Sequence, residues 1–67
     1  MKKLYKRFEE IERLIRRGYI TLSEGNGMML QAIREEHERF DWEGPEEWDS
    51  MKAYHKMYLI LAKLTRD

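Results

Sequence analysis

Two histidines, His37 and His55, are the side chains best suited to hold a metal or relay a proton. Asp41 follows His37 at i,i+4, a spacing that puts an imidazole and a carboxylate on one helix face. Two ligands do not close a metal site. The glutamates around His37 invite a carboxylate-bridged di-metal reading, but that chemistry repeats a Glu-x-x-His pair and adds two further glutamates. Here the positions three residues before the histidines are Arg34 and Lys52. The two histidines read as rim residues, and no metal or cofactor is expected. Nucleophilic chemistry has less to work with. The chain has no cysteine, and its serines, Ser23 and Ser50, lie outside any Gly-x-Ser-x-Gly context. Gly25-Asn26-Gly27 is not followed by Lys-Ser/Thr, so it is not a phosphate loop. Glu36 falls towards the apolar stripe of its helix. A buried acid there is either perturbed for catalysis or, more ordinarily, paired with one of the cations of the first segment. The expectation is a protein that is not an enzyme.

The stretch 35–49 is the most distinctive. It holds eight acids against one arginine, with Phe40, Trp42 and Trp48 interleaved. Aromatic anchors inside a charged rim are a common form of protein-binding surface, and acids steer a basic partner. The expected partner-binding residues are Glu38, Phe40, Asp41, Trp42, Glu43, Glu46 and Glu47. The competing account has Phe40 and Trp48 sealing the end of a bundle while the acids only solubilise it. Trp42 separates the two, because it sits in a loop and outside either helical stripe. A small acidic-aromatic protein of this kind fits a regulator or inhibitor, including a nucleic-acid mimic that blocks a basic groove; by size and charge it is analogous to phage host-takeover and anti-defence proteins. The alternative is a nucleic-acid-binding regulator using Lys2, Lys3, Lys6, Arg13 and Arg17. A helix-turn-helix reader is disfavoured, since its recognition helix would begin Leu22-Ser23-Glu24-Gly25-Asn26-Gly27 and carry no cation before Arg34.

Three helices are needed to place these residues. Leu4, Phe8, Ile11 and Ile15 recur at helical period, widened by Tyr5 and Leu14, and predict a helix over about 2–17. Gly18 supplies its stop. Thr21 and Glu24 form a capping-box pattern that starts a second helix near 22, with Leu22, Met29, Ile33 and Phe40 on one face. The glycines at 25 and 27 oppose that start by roughly 2 kcal/mol of helix propensity. Gly25 falls on the inner face, where it would permit close backbone approach; otherwise the helix begins near Asn26. Residues 41–45 form a loop, and Pro45 with Glu46, Glu47 and Asp49 predicts a third helix over about 46–65. The fold class expected is all-α, a small antiparallel three-helix bundle forming one domain over 1–67.

Composition bounds the object. With 67 residues, 42% hydrophobic and 39% charged, the chain buries only roughly 60% of its unfolded surface. Without cysteines, helix packing or oligomerisation must supply its stability. Thirteen basic and thirteen acidic residues cancel, but they are segregated: the first and last segments are basic and residues 21–50 acidic. No apolar run is long enough to span a membrane, and the expected location is the cytoplasm, or a host cell's cytoplasm if the chain is phage-encoded. The third helix carries two apolar ridges. Trp48, Met51, Tyr54, Tyr58, Leu61 and Ala62 form one, and Ala53, Met57, Ile60 and Leu64 the other. The first is expected in the core. The second is expected either to meet the first helix or to pair with a second copy, giving a homodimer through the third helix.

Overall fold

The computed structural model describes residues 1–66. Its helices are α1 (Lys2–Arg16), α2 (Leu22–Arg39) and α3 (Ser50–Arg66), packed against one another in an up-down-up order. Their 15 to 18 residues make helices about 22–27 Å long, aligned in a molecule measuring 39 × 18 × 15 Å.

The α1–α2 turn is built by local backbone chemistry. Arg17 caps α1, and Gly18 adopts a left-handed φ of +79°. The Gly18 N–H donates to the Ile15 carbonyl and the Tyr19 N–H to the Leu14 carbonyl, both at 3.0 Å. This is the paired arrangement that satisfies the last carbonyls of a helix. Three residues later Thr21, in extended conformation, caps α2: its Oγ1 accepts from the Glu24 N–H at 3.0 Å, and Glu24 Oε1 accepts from the Thr21 N–H at 3.0 Å. The reciprocal pair outweighs the two glycines, and α2 starts at Leu22 rather than near Asn26. Gly25 is buried against α1. A Cβ there would clash with Ile15 Cδ1 and stand 2.9 Å from its Cγ1, so the glycine sets how closely α1 and α2 approach.

The core comprises Leu4, Phe8 and Ile11 of α1, Met29, Ala32 and Ile33 of α2, and Ala53, Met57 and Ile60 of α3, with Tyr5, Ile15, Ile20, Trp48, Leu61 and Leu64 packed on it. Among the described residues every buried side-chain nitrogen and oxygen has a partner.

Two expectations are corrected. The third helix begins at Ser50, not at 46. Asp49 accepts from the Lys52 N–H through Oδ1 at 3.2 Å, which is the N-cap bond of a helix whose first residue is Ser50. Pro45, Glu46 and Glu47 therefore precede the helix. The first ridge of α3 is also only partly in the core: Trp48 and Leu61 pack on it, whereas Met51, Tyr54 and Tyr58 are exposed. Ala53, Met57 and Ile60 are buried, with Leu64 against them. Of the two outcomes expected for the Ala53-Met57-Ile60-Leu64 ridge, the structure shows the one within the chain, where it joins the core of α1 and α2. The physical reason is polar: turning the other ridge inward would bury two tyrosine hydroxyls, each in need of a hydrogen-bond partner. The aliphatic ridge buries none, and Ala53 lets the helices close.

Candidate functional site

The acidic-aromatic corner forms where α2 ends. Phe40 leaves the helix with extended geometry. The next four residues make a turn in which the Gly44 N–H donates to the Asp41 carbonyl at 3.0 Å and the Glu43 N–H to Asp41 Oδ1 at 3.1 Å. Asp at the first turn position commonly accepts in this way. The turn folds Trp42 back against the end of α2. His37 and Phe40, three residues apart on one helix face, then receive both indoles. The His37 ring lies 5.0 Å from Trp42 and 5.1 Å from Trp48, both edge-on. Phe40 lies 5.0 Å from Trp42 and 5.9 Å from Trp48. These are favoured aromatic separations and tilts.

The two tryptophans differ in kind. Trp48 is half-buried, packs against the core and donates from Nε1 to Ser50 Oγ at 3.0 Å. It seals the bundle end. Trp42 remains 61% exposed, although two rings fix its orientation. Of the acids expected to rim it, Glu38, Asp41, Glu43, Glu46 and Glu47 are all exposed. They do not form one unopposed field. One Asp41 oxygen is occupied by the turn. Glu46 pairs with the Met1 amine at 3.1 Å. Phe40, Asp41 and Glu46 share a cleft of about 550 Å³ with Lys2, Lys3 and Arg39. Glu38 lines a smaller cleft with Arg34, His37 and Trp48. Sequence reasoning left His37 at the rim; its i,i+3 spacing from Phe40 was the available signal that it belongs to the aromatic group.

Glu36 is held as an ordinary ion pair. Its Oε1 lies 3.2 Å from Arg7, whose guanidinium also reaches Glu35 at 3.2 Å. Glu36 is 11% exposed, so the fork of Arg7 neutralises a carboxylate that faces the α1–α2 seam. Glu35 has its carboxyl held below the ordinary range, first by the Gln31 side-chain amide and then by Arg7. Glu24 is lowered by the Thr21 backbone N–H and then the Thr21 hydroxyl. Both are consequences of helix architecture rather than of a reactive pocket. His55 is exposed on α3, and among the described residues no three His, Asp or Glu side chains gather as metal ligands do.

The cations Lys2, Lys3, Lys6, Arg13 and Arg17 are all exposed on or just after α1, with Glu9 and Glu10 exposed between them. Among the described residues no helix is long and apolar enough to cross a membrane. The chain matches no known protein-family model, and no curated protein or solved structure is significantly similar to it.

Proposed function

We propose that this chain is a non-enzymatic interaction module, a small regulator or inhibitor that captures a basic protein on its acidic-aromatic corner. One observation carries the reading: Trp42 is a large aromatic that the bundle leaves in water yet holds in a set orientation between His37 and Phe40. An anchor ordered before binding loses little rotamer freedom on contact, and aromatic anchors supply much of the energy of small interfaces. The exposed acids of the same segment, Glu38, Glu43 and Glu47, give the approach of a cationic partner its direction. A nucleic-acid mimic of the host-takeover type is the form of this reading in which that partner is itself a nucleic-acid-binding protein.

Trp42→Ala tests it. The variant is expected to stay folded and to lose no more than about 1–2 kcal/mol of stability, the worth of its edge contacts with His37 and Phe40, and to weaken partner binding by about 2 kcal/mol or more. Affinity capture from the cell that makes the chain, run in parallel with parent and variant, reads the outcome. A basic protein retained by the parent and lost by Trp42→Ala supports the proposal. Equal retention by both, or generic DNA or RNA bound tightly and salt-sensitively in a gel shift, overturns it; the latter result would move the function to the cations of α1.

A further inference from the structure

The rings around Trp42 specify more about a basic partner than its charge. They make a closed circuit, from His37 to Trp42, Phe40, Trp48 and back to His37, with centroids 5.0, 5.0, 5.9 and 5.1 Å apart. Rings at these separations touch one another edge to face, so no cage is left among them to enclose a methylated ammonium. Phe40 and Trp48 are half-buried, and the Trp48 N–H is taken by Ser50 Oγ at 3.0 Å. Trp42 is the indole that the circuit turns to solvent, 61% exposed. Its two faces make up most of an indole's surface, so a ring with that exposure keeps at least one face open. Its plane is set by inclinations of 73° to His37 and 77° to Phe40.

A fixed, open indole face distinguishes between cations. A lysine ammonium is compact and strongly hydrated, and it gains little from a ring that stands in water. An arginine guanidinium is planar and more weakly hydrated, and it stacks on an aromatic face. The charges of this end of the bundle are placed to suit it. The chain neighbours of Trp42 are Asp41 and Glu43. Asp41 keeps a second carboxylate oxygen beyond the one that accepts from the Glu43 N–H at 3.1 Å. Glu43 is exposed and, among the described residues, in no ion pair. The Met1 amine is taken up by Glu46, and Arg7 by Glu35 and Glu36. Lys2, Lys3 and Arg39 line one of the two clefts of this end and Arg34 the other; Trp42 borders neither, and neither does Lys52 of α3.

We propose that Trp42 is the seat of an arginine side chain of the basic partner, its guanidinium stacked on the open indole face and its N–H groups donating to the carboxylates of Asp41 and Glu43. The inference rests on the basic-partner reading and narrows it: arginine is the anchor, in preference to lysine or methylated lysine.

The full chain is titrated with acetylated and amidated Gly/Ser peptides that differ only in carrying arginine, lysine or trimethyl-lysine at the same positions. The backbone N–H signals of Glu43 and Gly44 report binding in parent and variants alike. In the parent the Trp42 indole N–H should move with them, while that of Trp48, held by Ser50, stays in place. The arginine peptide should bind roughly three-fold more tightly than the lysine peptide, the ratio given by one exposed stack of a cation on an indole. The ratio should survive added salt that screens the acids. Trp42→Leu keeps an apolar side chain and removes the π face. Its helical circular dichroism should match the parent, and the two peptides should bind it equally. Arginine and lysine bound alike by the parent, a preference kept in Trp42→Leu, tightest binding of the trimethyl-lysine peptide, or no binding of any peptide at millimolar concentration each overturns the proposal. Affinity capture tests the partner reading separately. A basic protein lost in Trp42→Ala, alongside peptides bound alike, leaves that reading standing and removes arginine as the anchor.

Discussion

The α1–α2 seam and the α2–α3 side both present apolar residues and end up opposite in character. Along the first, Gly25 admits the side chain of Ile15, Phe8 and Leu4 are fully buried, and Arg7 closes the margin on Glu35 and Glu36. Along the second, Leu30, Tyr54 and Tyr58 stand apart across a trough. Small residues and paired charges draw two helices together; aromatic rings with hydroxyls hold them apart and keep the hydroxyls wet. The first region accounts for the stability of a chain this short, and the second, with the Trp42 corner, is where surface is left over for contact.

The contrast is broken most forcefully from within the core. Phe8→Ala removes a fully buried ring between the helices and should lower stability by about 3–5 kcal/mol, enough to unfold much of a small domain at room temperature. Leu59→Ala on the outer face of α3 should stay within about 0.5 kcal/mol. Urea midpoints of the two variants measure the difference directly. A Leu59→Ala loss comparable to that of Phe8→Ala would show that α3 is buried on a side that stands in water here.

The two glycines of α2 sharpen the comparison within one turn. Gly25→Ala places a methyl group against Ile15 and should destabilise by about 1–2 kcal/mol despite the better helix propensity of alanine. Gly27→Ala meets nothing within 4 Å and should stabilise by about 0.5–1 kcal/mol. Thermal melts of the pair should shift in opposite directions; shifts of one sign would mean that the close approach of α1 and α2 has been misplaced.

The smallest effect is electrostatic. The carboxyls of Glu24 and Glu35 sit below their ordinary range in the folded chain, Glu24 through the Thr21 backbone N–H and Glu35 through Gln31. A lowered folded-state value means the ionised form is favoured by folding. The contribution is complete above the unfolded glutamate value of about 4.3 and disappears as pH falls through the lower folded values. Acid titration of the parent should therefore show a stability loss that begins below that value, and Glu24→Gln should reduce its size. An unchanged acid profile in Glu24→Gln would remove the capping carboxylate from the account.

Much of this architecture was legible because it is local. Gly18, Thr21 and Glu24 act within a few residues of themselves, so the end of α1 and the start of α2 follow from backbone hydrogen bonding alone. The stripe of α1 and the inward position of Gly25 follow from helical period. The start of α3 was harder, since Pro45 and the acids after it and the Asp49 cap are competing local signals, and only the path of the loop selects between them. The ion pair of Glu36 was foreseeable as to class, because a stripe-facing carboxylate beside a basic helix needs a cation; that the cation is Arg7 depends on the register of α1 against α2.

Which face of α3 turns inward was a tertiary decision. Ala53-Met57-Ile60-Leu64 and Met51-Tyr54-Tyr58-Leu61 both satisfy the helical period, so sequence spacing assigns neither to the core. The choice was made by what lies across from them: the space over Phe8 and Met29 accepts aliphatic side chains and offers no partner to a tyrosine hydroxyl. The meeting of His37 and Phe40 with the two indoles was decided by the path of the chain after α2, where a turn at Asp41 folds the segment carrying Trp42 and Trp48 back onto the helix end. Helix boundaries and stripes are properties of consecutive residues. Facing and closure depend on the free energy of groups far apart in the chain, which only the packed structure brings into contact.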